Sequence, residues 1–505
     1  MPKQLLDLHT IAHLSFPYIF EQNVTIYLSS GDVVRCNVYR PKTATRVPVL
    51  VTFTPKFAEV NPEHKSAHSA WETPDPGYWT KHGYAVVRAD EVGSGQSPGI
   101  LDTMSQRTTD AFVEVIEWAA DASWSSGKVG LLGISYYAGS HTIEGDLSEF
   151  ALADNFRDQR TYNQDNQFLD QPYYSSREYD LADIEVPILS VGNWGGISLH
   201  LRGNIEGFTH ASSKFKYLYM ITGRHDLPFY YNWESKLQRS FLDAFLKDDD
   251  QAGWSFEGEI AGPNGEGRMK AYQRRQENEW PIARTQYTRF FLLPNHLLQA
   301  AGPYQGDVKT LTYPALGTIE KPQLLEFTTP PFVQETEITG HIVAHLNISI
   351  SADPISLFAP SDMDLFLTLR HIGTDGKEVF YTGTVGDLVP LTKGWLRVSL
   401  RKINTEHPRH RAWLPRREYT SGDVLPVVSG EVYGVDVEVW PTNVVVQIGE
   451  RIVFEVASGD TQGSGVFLHD DPVDRSHGVF HGFNHIHFGP QWENYVILPI
   501  IPPRE

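Results

Sequence analysis

The chain is poor in several things that would each point to a particular class of protein. It has one cysteine, Cys36, so no intrachain disulfide can form. Cys36 lies in a strand-like run, Val33 to Tyr39, and reads as a small core residue rather than a nucleophile. No apolar run approaches the length of a membrane span. The opening Met1-Pro2-Lys3-Gln4 lacks the apolar stretch of a secretory signal, so a cytoplasmic location is expected. Basic residues are scarce relative to acidic ones: 42 Lys and Arg stand against 62 Asp and Glu, for a formal net charge of -20. That balance argues against nucleic acid or an anionic membrane as a partner. Internal repeats and low-complexity tracts are also absent from the sequence.

What is present is a long chain with two different hydrophobic periods. At 505 residues it exceeds what one core holds, so two or three domains are expected. Residues 24 to 140 read as strands alternating with helices. Val24–Leu28 and Val33–Tyr39 flank the turn signal Ser29-Ser30-Gly31-Asp32 and suggest a hairpin. Val47 to Phe53 and Tyr84 to Val87 are short, nearly continuous apolar runs, the mark of strands buried on both faces. Asp110 to Ala120 is amphipathic. Val186–Val191 and Tyr217–Thr222 are further buried strands, and Trp233 to Leu246 has helical spacing. This alternation implies a mostly parallel, doubly wound sheet. After about residue 286 the period becomes two. Leu346, Ile348 and Ile350 alternate with His345, Asn347 and Ser349, and Val435, Val437 and Val439 alternate with Asp436 and Glu438. That half reads as an antiparallel sandwich or jelly roll.

The stretch with the most chemistry is Gly133-Ile134-Ser135-Tyr136-Tyr137-Ala138-Gly139. It follows the apolar run Val129 to Leu132 and the amphipathic segment before it. Helix, strand, then Gly-x-Ser is the setting of a nucleophile elbow, in which a serine sits on a tight, strained strand-to-helix turn. Gly133 supplies a small neighbour two residues before Ser135. Tyr137 stands where the common pattern has a second glycine. A serine nucleophile needs a base. In an α/β-hydrolase the histidine follows the last core strand, and Tyr217–Thr222 runs into Gly223-Arg224-His225-Asp226, which makes His225 the candidate.

These residues carry a family resemblance. Tyr84 to Gly99 (YAVVRADEVGSGQSPG), Gly127 to Tyr136 (GKVGLLGISY) and Glu185 to Gly203 (EVPILSVGNWGGISLHLRG) resemble the serine hydrolases grouped with cocaine esterase and X-prolyl dipeptidyl-peptidase. In the second half, Asp362–Leu367 (DMDLFL), Gly394–Ser399 (GWLRVS) and Val437–Thr442 (VEVWPT) resemble that family's jelly roll. The resemblance implies an α/β-hydrolase domain with a helical cap, then a jelly-roll domain. It implies the division 1–140 and 184–252 for the two parts of the hydrolase domain. Residues 141–183 would be a reduced cap, 253–285 a connection and 286–505 the jelly roll. Ser135 would be the nucleophile, His225 the base, and the backbone N–H of Tyr136 an oxyanion donor.

The departures from the family are specific. Relatives carry a tyrosine directly after the Pro of the strand-end Thr-Pro, whereas Thr54-Pro55 runs straight into Lys56-Phe57-Ala58-Glu59. Only about fifty residues separate Ser135 from the strand at Val186, where relatives place a helix, a core strand and the cap. A missing core strand would expose the edges of its neighbours. Two internal losses with matching text on both sides read as missing coding segments, or as a loss during evolution. The usual triad Asp is replaced by Asn193-Trp194-Gly195-Gly196. Asp226, Glu206 and Asp90 are other carboxylates, and none is assigned, so the triad acid is unknown on sequence grounds.

Two further signals are weaker. His477, His481, His485 and His487 cluster near the C-terminus, and His485-x-His487 would put two imidazoles on one strand face. No metal and no cofactor is nonetheless expected, and Asp90 to Gly95 lacks the spacing of a dinucleotide site. Trp71, Tyr78 and Trp79 read as packing, or as the wall of an aromatic pocket. The expected partner is a small-molecule ester, amide or short peptide substrate, and a homo-oligomer is compatible with the composition. The sequence therefore points to a serine hydrolase of the acyl-transfer type. The alternative is a catalytically impaired hydrolase-like protein acting as a binding scaffold.

Overall fold

The computed structural model describes residues 8–53, 66–135, 157, 159–255, 275–356, 358–465 and 467–503. The N-terminal half opens with an antiparallel meander, β1 (Thr10–Ala12), β2 (Ile19–Tyr27) and β3 (Val33–Arg40). The hairpin read from Ser29 to Asp32 joins β2 and β3. Next come β4 (Val47–Phe53), α1 (Pro76–Lys81), β5 (Ala85–Asp90), α2 (Gln106–Asp121) and β6 (Ser125–Leu131). The sheet order is β1-β2-β3-β5-β4-β6, and β4 runs parallel to both of its neighbours. Six of the seven β4 residues are buried, as a central strand requires.

Helix α2 shows how this half is held. Ala111, Val115 and Ala119 recur at every fourth position and are all buried against Val49, Val51 and Val87. The Ser105 side chain accepts the Thr108 N–H at 3.3 Å and caps its first turn. α1 begins in the same way, with Asp75 accepting the Tyr78 N–H at 3.0 Å and Pro76 at the first helical position. Trp79 of α1 is buried in the core, so packing is its role.

After the short helices α3 (Gln159–Asp165) and α4 (Pro172–Ser175), the chain forms β7 (Ile188–Asn193), α5 (Leu201–His210), β8 (Lys216–Ile221) and α6 (Asn232–Leu246). β7 and β8 pair in parallel as a separate two-stranded sheet. Among the described residues β6 pairs only with β4 and β7 only with β8. Leu131 of β6 and Val191 of β7 are exposed apolar side chains, at 55% and 41%. α6 connects the two groups: a methyl group on Gly130 of β6 would lie 2.8 Å from Leu246 Cδ1.

From Gln286 onward the structure is almost wholly β. The strands are β9 (Gln286–Leu292), β10 (Leu298–Gln299), β11 (Lys309–Pro314), β12 (Leu324–Thr328), β13 (Thr336–Ser351), β14 (Asp364–Ile372), β15 (Glu378–Val379), β16 (Tyr381–Thr382), β17 (Leu388–Val389), β18 (Thr392–Arg397), β19 (Tyr433–Val446), β20 (Arg451–Ala457), β21 (Phe483–Phe488) and β22 (Tyr495–Ile501). Their ladders are antiparallel, in the order β10-β9-β22-β13-β19-β18-β14-β20-β12, with β11 and β21 joining at β13. This is the jelly-roll half of an α/β plus all-β architecture. Period two holds in β19, where Val435, Val437 and Val439 are buried and Asp436 and Glu438 are partly open. It does not hold in β13, where Asn347 and Ser349 are buried along with Leu346, Ile348 and Ile350. The polar face is covered by the chain around Glu493 and Asn494, whose backbone and side chain satisfy Asn347 at 2.7 Å each.

Candidate active site

The site forms where three chain segments leave the carboxyl ends of parallel strands, the usual place for ligands in an open α/β sheet. Ser135 follows β6. Its backbone is left-handed, with φ +57°, a conformation that costs a non-glycine residue free energy and recurs at functional turns. The side chain is exposed, as an attacking group must be. Gly133 is less constrained than an elbow suggests. A methyl group there would meet Thr52 Oγ1 at 3.5 Å, which is ordinary contact.

The hydroxyl of Ser135 is hydrogen-bonded to His200 Nε2 at 2.7 Å. His200 lies in the loop after β7, immediately before α5. That loop is fixed from two sides. Asn193 accepts the Gly195 N–H at 2.7 Å and donates to the Gly223 carbonyl at 2.6 Å, which joins it to the loop after β8. Ser198 donates to the Ser464 carbonyl of the jelly roll at 3.2 Å. Burial, helped by the nearby His225, pushes the His200 pKa down to about 4. At neutral pH it is therefore uncharged, and its Nε2 can accept the serine proton.

His225 follows β8, as expected from the sequence, but among the described residues its ring bonds to groups other than Ser135. Its ring centroid is 5.8 Å from that of His200. Its Nδ1 lies 2.9 Å from the Thr384 carbonyl and its Nε2 lies 2.8 Å from Glu72 Oε1. A carbonyl only accepts, so Nδ1 carries a proton. Thr384 belongs to the β16–β17 hairpin, and its carbonyl also takes the His225 backbone N–H at 3.1 Å. The jelly roll thus supplies an atom that orients this histidine.

Glu72 sits in the loop between β4 and α1, with 2% of its surface exposed. It too is left-handed, at φ +57°. Its carbonyl accepts the Ile134 N–H at 3.3 Å, one residue before Ser135. The loop is braced by Arg88, which donates to the carbonyls of His68 at 2.6 Å and Pro74 at 2.8 Å. Burial raises the Glu72 pKa, and the His225 hydrogen bond partly offsets that. Burial alone would lower the His225 pKa, but the bonds to Glu72 and to the Thr384 carbonyl outweigh it, and the net shift is upward.

None of the three carboxylates weighed from the sequence reaches a histidine of this site through its side chain. Asp226 forms a two-pronged pair with Arg224, at 3.0 and 2.9 Å. Arg224 in turn donates to the Val385 carbonyl at 3.1 Å. Glu206 faces His210 on α5 at 3.3 Å. Asp90 accepts the Gln96 N–H at 2.7 Å in its own turn. Tyr136, the oxyanion candidate, and Pro55 lie outside the described residues, as do all of 141–156 and the stretch 256–274. Glu72 and His200 were missed from the sequence. His200 had a findable signal, since like His225 it follows the carboxyl end of a buried strand.

The C-terminal histidines are not arranged for a metal. His485 bonds to the hydroxyls of Thr312 and Ser351, both at 2.8 Å. His487 bonds to those of Thr310 at 3.2 Å and Ser349 at 2.8 Å. With both ring nitrogens of each committed to hydroxyls, they act as cross-strand ties. Among the described residues no group of three or more His, Cys, Asp or Glu could hold a metal ion. No described helix is long and apolar enough to cross a membrane.

Comparison with known proteins agrees with this layout. Residues 30–144 match the family of X-Pro dipeptidyl-peptidase (S15 family). Residues 254–497 match the X-Pro dipeptidyl-peptidase C-terminal non-catalytic domain. A putative serine esterase of Mycobacterium bovis is 29% identical over 138 residues, 27% of this chain and 19% of that protein. Cocaine esterase of a Rhodococcus species is 30% identical over 121 residues, 24% of this chain and 20% of that one. The aligned region thus spans about a fifth of the length of these curated relatives. The crystal structure of a CocE/NonD family hydrolase from Staphylococcus aureus shares the fold, with a TM-score of 0.80, 22% identity, and coverage of 96% of this chain and 94% of that one. The two matched regions stand in order along the chain, which thus resembles X-Pro dipeptidyl-peptidases of the S15 family over residues 30–144 and 254–497.

Proposed function

We propose that this chain hydrolyses an ester or amide through an acyl-enzyme, with Ser135 as nucleophile. The observation that carries the reading is the hydrogen bond of Ser135 Oγ to a neutral His200 Nε2 at 2.7 Å, on a left-handed turn at the end of β6. As Oγ bonds to the substrate carbonyl carbon, its proton passes to His200 Nε2. His200 then gives that proton to the leaving alcohol or amine as its bond to the acyl carbon breaks. Water repeats the sequence: it loses a proton to His200, attacks the acyl carbon, and Ser135 Oγ leaves and regains the proton. The Tyr136 N–H serves as an oxyanion donor in this reading.

The proposal gives the base role, expected of His225, to His200, because both nitrogens of His225 are committed elsewhere. Substrates in the range suggested by the relatives' names are simple esters and peptides with proline. Turnover of p-nitrophenyl esters and of proline-containing dipeptide anilides by the purified protein tests the reading. Loss of turnover in both Ser135→Ala and His200→Gln is the expected result. Turnover that survives Ser135→Ala would refute it. Binding of such compounds without any turnover would favour the scaffold alternative.

A further inference from the structure

We propose that the cleft between helix α5 and the jelly-roll loop of residues 409–417 binds a small oxyanion, a phosphate or carboxylate group, that ties the two halves of the molecule together. The inference does not depend on the reading of Ser135 and His200.

Charge is the starting point. In a chain with a formal net charge of -20, residues 409–417 hold four arginines and no Asp or Glu. The segment lies between β18 and β19. On α5, Arg202, Glu206 and His210 are spaced by four, so they share one helix face. That face and the loop line one cleft of about 370 Å³. Part of that volume is open solvent, and the enclosed remainder suits a single phosphate or carboxylate group rather than a large ligand. Arg202, Arg409, Arg416 and Arg417 line it, against two carboxylates, Glu206 and Glu438. None of Ser135, His200, His225 and Glu72 is among the lining residues.

Most of these charges have charged partners. Arg202 forms a two-pronged pair with Glu438, at 2.7 and 3.2 Å. Glu206 lies 3.3 Å from His210. Arg416 donates to Glu418 at 2.8 Å, and Arg409 to Asp180 at 3.3 Å. Arg417 differs. It is 5% exposed, and its Nη2 donates to the backbone carbonyls of Asp436 and, at 3.5 Å, of Arg401. Its Nε is buried with no hydrogen-bond partner among the described residues. Burial lowers the Arg417 pKa, and the nearby Tyr419, Asp436 and Glu438 do not offset that. In Arg202, by contrast, Glu438 outweighs burial and the net shift is upward.

A buried guanidinium needs acceptors and a counter-charge. An oxyanion in the cleft supplies both, because the planar guanidinium matches two oxygens of one phosphate or carboxylate. The Tyr419 hydroxyl, also on the cleft, is a further donor for the same ion. Four guanidinium groups repel a metal cation from the same space. Arg202 belongs to α5, and Arg409 and Arg417 belong to the jelly roll, so the bound ion bridges the two halves.

The test is the thermal midpoint of the full chain at neutral pH, titrated with sodium phosphate or with sodium acetate, each against sodium chloride at matched ionic strength. A ligand held only by the folded state raises the midpoint with a saturating dependence on its concentration. Such a rise is expected in at least one arm. Phosphate acting alone marks a phosphate-group site, and acetate acting marks a carboxylate site. Arg417→Gln should raise the half-saturating concentration roughly tenfold or more. Arg409→Gln alters a more exposed lining residue and should raise it too, which covers the case in which Arg417→Gln fails to fold. Arg411 stands in the same loop but does not line the cleft, so Arg411→Gln should leave the titration unchanged. No saturable rise in either arm would overturn the proposal. So would titrations of Arg417→Gln and Arg409→Gln that match the native protein, or an equal loss in Arg411→Gln, since either would mark a general effect of salt or charge.

Discussion

Gly195→Ala probes how the two halves of the molecule build one site. Gly195 lies in the loop that carries His200. A Cβ placed on it would sit 1.9 Å from the Thr382 carbonyl oxygen, 2.9 Å from the Thr382 carbonyl carbon and 3.2 Å from Gly383 Cα. All three are backbone atoms, so no side chain can swing aside. A close carbon–oxygen approach is about 3.3 Å, so one loop must retreat by roughly 1.4 Å. Overpacking of this kind costs about 1–3 kcal/mol. The loop that retreats either carries His200 or holds His225 through Thr384. A misplacement of about 1 Å can cost on the order of a hundredfold in rate. The assay is p-nitrophenyl ester turnover alongside a thermal melt. Gly203→Ala on α5, where nothing lies within 4 Å of the added methyl group, is the control. It should leave the rate alone and gain about 0.5–1 kcal/mol of stability. Native-like turnover and stability in Gly195→Ala would refute the view that the jelly roll positions this loop.

Two other expectations follow from burial. Cys36 is buried, and burial pushes its thiol pKa far above the usual range; alkylation by iodoacetamide should be negligible in the native protein and rapid in denaturant. Arg370 bonds Glu455 and Glu378 at 2.9 Å each inside the jelly roll. Arg370→Met would take the arginine partner from buried Glu455, leaving it the Thr461 hydroxyl at 2.6 Å, and should cost about 3 kcal/mol, read as a lower denaturant midpoint.

The legible parts of the sequence were those in which local chemistry decides structure. The strand-turn context of Ser135 is written in consecutive residues, and its left-handed φ follows from it. The placement of His225 after β8 followed from chain order alone. Its partner did not, because Glu72 comes from a loop between β4 and α1 and meets His225 only after folding. A search for a carboxylate near β7 could not find one that arrives from the loop between β4 and α1. His200 stood inside a segment already noted for its Asn-Trp-Gly-Gly, but which histidine touches Ser135 depends on loop geometry that spacing does not encode. In the second half, period two marked the buried face of β19. It misjudged β13, whose polar face is covered by a segment distant in sequence.

The central claim is that Ser135 is a nucleophile activated by His200. The most direct measurement is peptide mapping of the fluorophosphonate-treated protein by mass spectrometry. The account predicts one adduct, on the peptide containing Ser135, absent in Ser135→Ala and formed far more slowly in His200→Gln. An adduct at another serine, or full-rate labelling of Ser135 in His200→Gln, would contradict it.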